Sequence, residues 1–414
     1  MKKQLLFIAC ACLSLGVSAK KHVEKADTGF VFTTVKENPI TSIKNQNQSG
    51  TCWCFSTLSF FESELLRMGK GEHDLCEMFV VHKTMEDRAA QTVRTHGDVS
   101  FAQGGSFYDV IYCMQNYGIV PQEAMPEPGT LYGDTLPNHN EVDLVATAFV
   151  DALATSKLKK LSPVWKQAFC GIYDAYLGKC PEKFTYKGKE YTPQSYMQSL
   201  GLDMDDYVSL TSYTHHPFYK PFVIEVQDNW RWSQSYNLPI DELMEVFDYA
   251  INNGFTIAWG SDVSETGFTR NGIAVMPDVK QAEDLVGSDA ARWLGLSNNS
   301  KRAEIVKKLT SKPLPEVKVT QEMRQTAYDN WETTDDHGMQ IYGIAKDQNG
   351  KEYYMVKNSW GDAGTYKGIW YASKAFVAYK TMNIVVNKNA IPEPIRKIWA
   401  ELKRQRNSRF LIRE

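Results

Sequence analysis

Apolar side chains follow a helical period in the first part of the chain. Between Trp53 and Gly69 they recur at spacings of three and four, which predicts one buried helix with Cys52 at its N-terminus. A second helix is predicted from Ser106, a residue type that caps helix N-termini, to Gly118. The apolar positions of the first helix are Leu58, Phe61, Leu65 and Met68.

Helical patterning continues through residues 137–235, between polar loops, and this segment is interpreted as a helical insertion. An amphipathic helix is predicted from Pro239 to Gly254, and a charged helical stretch from about 280 to 312. Short apolar runs in the second half are typical of strands. These runs are Phe255 to Trp259, Gly272 to Met276, Met339 to Ala345, Tyr353 to Val356, Gly368 to Tyr371 and Met382 to Val386. The sequence thus predicts an α+β fold, with helices early and a sheet late.

The beginning of the chain has a different pattern. Two lysines precede an apolar run from Leu5 to Val17, and small residues lead up to Ala19. This arrangement is typical of an export signal, so residues 1–19 are expected to direct the protein to the periplasm or the exterior. The run is too short to span a bilayer, and no later segment reaches the length that a spanning helix needs. Cys10 makes a lipoprotein the lesser alternative.

Composition suggests where the N-terminal arm, the main domain and the C-terminal tail begin and end. Residues 20–35 are mostly polar without a clear period and are interpreted as an N-terminal arm. Residues 36–392 contain the predicted helices and strands and are expected to form one large domain. Residues 393–414 carry seven Lys or Arg against three Glu and are expected to form a basic helix or tail.

Net charge and cysteine content limit the expected partners and disulfides of the protein. The 414 residues are 43% hydrophobic and 12% aromatic, which is enough for a large core, and the formal net charge is −3. Without a basic field the chain would not neutralise phosphates, so nucleic acid is not an expected partner. Cys170 and Cys180 flank a short loop and are the expected disulfide pair, whereas Cys76 and Cys113 fit buried free thiols at least as well.

Cys52 is the candidate nucleophile. Attack on a carbonyl needs a thiolate, and a helix N-terminus together with a nearby imidazolium lowers the pKa of a thiol. Gln46, six residues upstream, is the candidate side-chain donor to the oxyanion that develops on the carbonyl. The alternative for Cys52 is a structural thiol or a disulfide.

A base for this thiol is predicted at His337. His337 is followed by one predicted strand, and Asn358 follows the next predicted strand. If the two strands are adjacent, they bring the side chains of His337 and Asn358 together. The Asn358 oxygen would fix the imidazole tautomer, and the indole of Trp360 would shield that hydrogen bond from water. Asp336 either tunes the pair or belongs to the turn, and both interpretations stay open.

These residues together resemble the papain superfamily of cysteine peptidases, and within it the branch of bleomycin hydrolase and bacterial aminopeptidase C. The matching residues, in family order, are Gln46, Cys52, Trp53, His337, Asn358, Ser359 and Trp360. The branch is favoured by the run from Gln48 to Trp53, which lacks the additional cysteine of papain three residues before the nucleophile. The insertion after residue 137 favours it as well.

The resemblance implies a papain-like fold of two lobes with a cleft between them. A helical lobe would carry Cys52, and a β-rich lobe would carry His337 and Asn358. It also implies peptide substrates, hydrolysis through an acyl-enzyme, and no metal or organic cofactor. Gly104 and Gly105 would line the cleft beside the substrate backbone, because side chains there would block its approach.

Three interpretations of the activity stay open. The branch implies an aminopeptidase in which a C-terminal arm offers its terminal carboxylate to the substrate amine, a part that would fall to Glu414. Because the tail is basic, unlike the apolar arm of bleomycin hydrolase, an endopeptidase or dipeptidyl peptidase of the same fold is the alternative. From a different class, the protein could be a catalytically inactive surface-binding protein. Assembly into a homo-oligomer is also left open.

His215 and His216 are the remaining candidates for a metal site. Adjacent side chains on a loop are expected to point in different directions, and no acidic or cysteine ligand lies at a useful spacing. The sequence therefore predicts a solvated or hydrogen-bonded pair, with no metal.

Overall fold

The computed structural model of the protein describes residues 24–25, 29–126, 129, 135–278 and 311–399. The expected export signal at 1–19 and most of the charged stretch at 280–312 lie outside these residues. Most of the basic tail at 393–414 does as well, although residues 393–399 are described and helical. No helix among the described residues is long and apolar enough to cross a membrane.

Helices dominate the first half of the described chain. They are α1 (Cys52–Arg67), α2 (Glu77–Arg94), α3 (Phe107–Asn116), α4 (Asn140–Ala154), α5 (Val164–Leu177) and α6 (Pro193–Leu200). α1 is buried along most of its length, as its apolar period predicts. Ser106 caps α3 in a capping box with Asp109. Gly69 and Gly118 follow α1 and α3 with φ angles of 71° and 84°, so both predicted helices are confirmed.

Within the described residues, one sheet of eleven strands forms the other half of the fold. Its members are β1 (Glu24–Lys25), β2 (Val31–Glu37), β5 (Tyr207–Thr211), β6 (Pro221–Val223), β7 (Gln234–Asn237), β8 (Ile257–Ser261), β9 (Ile273–Ala274), β10 (His337–Lys346), β11 (Glu352–Lys357), β12 (Ile369–Ser373) and β13 (Thr381–Asn387). A separate hairpin consists of β3 (Phe184–Tyr186) and β4 (Lys189–Tyr191). The later helices include α7 (Ile240–Asn252), α8 (Gln321–Asp329) and α9 (Lys374–Lys380).

The strands run in the order β6, β7, β5, β13, β8, β10, β11, β12, β9, and β2 pairs with β10. Each of the six late apolar runs overlaps one of these strands, and α7 lies where an amphipathic helix was predicted. The α+β class predicted from the apolar pattern is therefore confirmed.

β10 is the strand that arranges the candidate site. It pairs antiparallel with β8, so that His337 lies opposite Ser261. It also pairs antiparallel with β11, where Gln340 lies opposite Lys357. This second register brings Asn358, the residue after β11, to the beginning of β10.

A buried amide joins α1 to β10. Gln340 is fully buried, and its side chain accepts a hydrogen bond from Ser59 Oγ and donates one to Ser63 Oγ, each over 2.7 Å. Its nitrogen also donates to Thr256 Oγ1 over 3.1 Å. Because a buried amide left without partners would cost free energy, these bonds favour one position of α1 along β10.

Residues 137–235 differ from the prediction of a helical insertion. α4, α5 and α6 occupy the first part, but β5, β6 and β7 follow and join the main sheet. These strands are only three to five residues long, too short for an alternating pattern to be recognised in the sequence.

Two smaller predictions are wrong. Part of the expected N-terminal arm belongs to β2, whose Phe32 stacks on Tyr371 with ring centroids 3.8 Å apart. Cys170 and Cys180 are free thiols rather than a disulfide; Cys180 interacts with His82, and Cys170 interacts with Glu86. Cys76 and Cys113 are buried free thiols.

Candidate active site

Cys52 is the first residue of α1 and is partly exposed. The residues before it form a tight loop in which Ser49 Oγ hydrogen-bonds both the Gln46 carbonyl and Thr51 Oγ1. The Gly50 N–H donates to Gln103 Oε1 over 2.8 Å, and the Trp53 indole donates to the Gln103 carbonyl over 3.0 Å. The sulfur is thus held at a helix N-terminus by contacts on both sides of it in the chain.

His337 and Asn358 meet as their strands predict. The imidazole Nε2 lies 2.8 Å from Asn358 Oδ1, and both side chains are buried. The Asn358 oxygen also accepts the Ser359 N–H over 2.8 Å, which fixes the direction of the amide. Trp360 lies against the imidazole with ring centroids 4.8 Å apart, in the position expected for a shield.

Gln46 connects the nucleophile loop to the segment that contains Asn358. Its backbone N–H donates to the Ser359 carbonyl over 2.8 Å, and its Oε1 accepts from Ser359 Oγ over 2.6 Å. Its Nε2 donates to the Ser49 carbonyl over 2.8 Å. An amide nitrogen carries two hydrogens, so one remains available for a further acceptor.

A cleft of about 380 Å³ joins these groups. Gln46, Cys52 and His337 all line it. The two halves of the fold approach most closely at Gly338, where a Cβ would lie 2.6 Å from Ser56 Oγ and 3.3 Å from the Cys52 carbonyl oxygen. Only glycine allows this approach, which brings the beginning of β10 against the beginning of α1.

The cleft disfavours an isolated charge on either reacting group. Burial raises the pKa of Cys52 to about 12, although the Gly338 backbone N–H acts to lower it. Burial lowers the pKa of His337 to about 4, although the hydrogen bond to Asn358 and the charge of Asp336 act to raise it. Moving a proton from the sulfur to the imidazole leaves the net charge of the pair unchanged, and the N-terminus of α1 stabilises the resulting thiolate.

Gly104 and Gly105 line the cleft, as expected. A Cβ on Gly105 would lie 2.8 Å from the Trp53 ring, so this wall packs directly beside the nucleophile. A Cβ on Gly104 would lie 2.0 Å from the Asp228 carboxylate. Arg88, which is fully buried, donates to the Gly104 carbonyl and lies 3.6 Å from Asp228.

Sequence reasoning missed two acidic residues of the cleft. Asp228 and Asp335 line it together with Asp336. Desolvation, followed by the charges of Asp228 and Asp336, raises the pKa of Asp335 to about 7. The position of Asp335 two residues before His337 was a usable signal, whereas nothing near Asp228 in the sequence points to the cleft.

Asp336 mainly holds the neighbouring loop. Its carboxylate accepts from the Ser264 N–H over 3.1 Å, from Thr334 Oγ1 over 2.8 Å and from the Ser264 hydroxyl. It therefore belongs to the turn before His337, and it also acts on the imidazole through its charge.

The arrangement can perform acyl transfer. It contains a nucleophile at a helix N-terminus, an imidazole oriented by an amide, and a side-chain N–H beside the nucleophile that can donate to an oxyanion. The remaining wall offers carboxylates, which can bind a cation or an ammonium group.

Comparisons with known proteins agree with this chemistry. The profile of the Peptidase C1-like family matches residues 73–292 and 315–406. Aminopeptidase G of Lactobacillus delbrueckii subsp. lactis is 25% identical to this chain over 92% of its residues and 89% of the relative. Aminopeptidase C of Streptococcus thermophilus is 23% identical over 90% of this chain and 85% of the relative.

A solved structure shares the fold. The crystal structure of PepW from Lactobacillus rhamnosis HN001 superposes with a TM-score of 0.65 at 20% identity, over 89% of this chain and 85% of that one. The likeness therefore covers most of both chains.

Proposed function

Because the chain belongs to the Peptidase C1-like family of papain-like cysteine peptidases, we propose that it is an aminopeptidase that removes N-terminal residues from peptides. Cys52 attacks the carbonyl of the first peptide bond, and its proton passes to His337. His337 then protonates the departing amine, and the acyl-enzyme holds the N-terminal residue through a thioester. Water that has lost a proton to His337 hydrolyses the thioester and restores the thiol.

The surrounding residues support these steps. Asn358 holds the imidazole through Nε2, which leaves Nδ1 as the atom that exchanges protons with the sulfur and with water. The second N–H of the Gln46 amide would stabilise the oxyanion, together with the backbone N–H of Cys52. Trp360 covers the hydrogen bond between imidazole and amide, and Gly104 and Gly105 form the wall along which the substrate backbone lies.

The acidic end of the cleft is the observation that carries the proposal of aminopeptidase activity. Among the described residues that line the cleft, three are aspartates and none is lysine or arginine. The Asp228 carboxylate covers Gly104, where the backbone of a residue further upstream in the substrate would lie. A free α-ammonium group would instead find Asp228 and Asp335 there, so the cleft favours a substrate that begins next to the cleaved bond.

A pair of substrates tests this proposal. The free and the N-acetylated form of one aminoacyl amide with a fluorescent leaving group are compared by kcat/KM. A hydrogen-bonded charge contributes about 1.5–3 kcal/mol, so we expect the free form to be preferred by roughly 10- to 100-fold. The Asp228→Asn and Asp335→Asn variants should lose most of this preference through KM. Equal turnover of both forms by the wild type would instead establish the endopeptidase alternative.

A second comparison separates the enzyme from an inactive binding protein. An electrophilic peptide probe should label the wild type at Cys52 and leave the Cys52→Ala variant unlabelled. The Cys54→Ala variant is the matched control, because Cys54 is buried in the core two residues further along the same helix. A folded wild type that neither reacts with the probe nor hydrolyses peptides would rule out the mechanism.

Export through residues 1–19 is proposed as well, on the basis of the lysines, the apolar run and the small residues before position 20. Mass spectrometry of the protein recovered outside the cytoplasm should give a chain that begins at Lys20. An intact chain confined to the cytoplasm would contradict this localisation.

A further inference from the structure

Three potential ligand groups converge beside the edge of the sheet. His215 and His216 lie in the loop between β5 and β6, and Glu225 follows β6. The Nε2 atoms of both histidines lie 3.1 Å from the Glu225 carboxylate, one at each of its oxygens. The expectation that these adjacent rings point apart is therefore wrong. The loop turns back on itself, so both rings face the same acid, which is nine or ten residues away in sequence.

Neighbouring residues hold the histidine rings in place. His216 stacks on Phe222 with centroids 4.4 Å apart, and His215 stacks on Tyr328 with centroids 5.5 Å apart. The Gln325 side chain, on α8, presents both its oxygen and its nitrogen to His215 Nδ1, at 3.3 Å and 3.1 Å. An N–H on Nδ1 that donates to this oxygen leaves the electron pair of Nε2 directed at Glu225.

The dimensions fit one small divalent cation. The three ligand atoms all lie within 4.8 Å of one another. Ligands at about 2.0–2.1 Å from a tetrahedral zinc ion are separated by about 3.3 Å, close to the observed separation between nitrogen and oxygen. Two imidazoles and one carboxylate form a ligand set that suits zinc and similar transition metals. All three residues are partly exposed, so a cation and its bound water can enter from the solvent.

We propose that His215, His216 and Glu225 form a binding site for a single divalent transition-metal ion, with zinc as the best fit. The site lies outside the catalytic cleft and plays no part in the hydrolysis. It adjoins the cleft through the segment 224–229, in which Ile224, Val226 and Asp228 face the cleft. Glu225 lies instead in a neighbouring surface pocket that Tyr328 also lines. A bound cation would fix this segment from the side opposite to the substrate.

Cobalt titration of the full-length chain tests the site. Co²⁺ is added while its visible d–d absorption is recorded, followed by competition with Zn²⁺. We expect one equivalent to bind, with bands of a four- or five-coordinate ion and no intense thiolate charge-transfer band, because the ligands are nitrogen and oxygen. Zn²⁺ should displace the cobalt and abolish the bands.

Three variants locate the binding. His216→Asn and Glu225→Gln should each weaken the apparent affinity by more than the 10- to 100-fold that is typical for loss of an outer hydrogen-bond partner, since each removes a ligand. His96→Asn is the matched control, because His96 is exposed, distant in sequence and in a left-handed conformation (φ 53°) that asparagine tolerates. Thermal unfolding without metal checks that each variant is folded.

The outcomes separate the proposal from its alternatives. Loss of binding in both ligand variants, with binding retained in His96→Asn, supports the site. Equal binding by all four proteins would place the metal elsewhere in the chain, and no binding by the wild type would leave only a hydrogen-bonded cluster. Either result overturns the proposal. None of these readouts depends on peptidase activity, so failure of the metal site and failure of the proposed function are distinguishable.

Discussion

The charge of Asp335 illustrates how single residues in the cleft depend on their surroundings. This side chain faces the solvent of the cleft, yet protein surrounds it on several sides and two further carboxylates lie close by. The resulting pKa of about 7 is well above the value of about 3.9 for an aspartate in an unfolded chain. Its ionisation is therefore coupled to folding.

Replacing Asp335 by Asn should change how stability depends on pH. Between about pH 4 and pH 7 the folded protein holds a proton on Asp335 that the unfolded chain releases, so wild-type stability falls across this window as pH rises. Relative to the wild type, Asp335→Asn should thus gain stability from pH 4 to pH 7 and keep that gain above pH 7. Urea unfolding of both proteins at several pH values measures the difference.

The Asp228→Asn background provides the control for this experiment. Asp228 contributes to the raised pKa of Asp335, so its loss should move the upper end of the window to lower pH. A stability difference that is the same at all pH values would show that Asp335 ionises equally in the folded and unfolded chain.

The sequence was sufficient to predict which residues meet at some places in the candidate site but not at others. Gln46 and Cys52 lie within one short run, and His337 and Asn358 flank two consecutive strands, so local spacing predicts that the members of each pair lie close together. Asp228 acquires its position only when the loop after β6 folds over Gly104, a contact between distant parts of the chain. The spacing of residues along the sequence does not predict this contact.

Among the secondary-structure elements, α1 and β10 determine the geometry of the site. Gln340 fixes their relative position, and Gly338 allows them to approach closely. A methyl group at position 338 would also lie 3.1 Å from the Phe107 ring, so it has little space. Gly338 thus influences the distance between Cys52 and His337, although it has no part in the proposed reaction.

Gly338→Ala should destabilise the protein by about 1–3 kcal/mol, the usual cost of overpacking, and lower kcat as the two elements separate. Adding Ser56→Ala removes the nearest obstructing atom, Ser56 Oγ, and should restore part of both losses. Gly171→Ala is the matched control. Gly171 lies within α5, and a methyl group there would have no heavy atom within 4 Å, so alanine should be neutral or stabilising by up to about 1 kcal/mol.

Chemical denaturation and single-turnover kinetics on these proteins measure both effects. Full activity and stability in Gly338→Ala alone would contradict the close approach.

The helix and strand boundaries near this contact follow from strong local signals, namely the period of α1 and the long apolar run of β10. The three short strands β5, β6 and β7 lack such signals, and their pairing with β13 and with one another is what makes them strands.

At the scale of the whole molecule, Arg231, in the loop between β6 and β7, joins this part of the sheet to the helical half. Its guanidinium lies 2.6 Å from the Asp109 carboxylate of α3 and 2.8 Å from that of Asp87 on α2. It also lies over the rings of Tyr112 and Trp230. Asp109 is completely buried and caps α3, and Arg231 is the cation that hydrogen-bonds its carboxylate directly.

Arg231→Met should therefore cost about 3–5 kcal/mol of unfolding free energy, because it leaves the buried Asp109 carboxylate without its ion-pair partner. Adding Asp109→Asn should recover part of the loss, since the uncompensated charge disappears. Lys183→Ala provides the comparison, because its pair with Glu190 is exposed and worth about 0–1 kcal/mol. Similar urea midpoints for Arg231→Met and Lys183→Ala would contradict this role of Arg231.

The carboxylate of Asp228 above Gly104 has a consequence for how a long peptide would be consumed. A chain that can enter only by its very first unit must be shortened step by step, releasing single amino acids. Mass spectra of samples taken during such a digestion would show a series of shortened peptides, each smaller than the one before by the mass of one residue. Internal bonds would stay intact until shortening from the front end reached them.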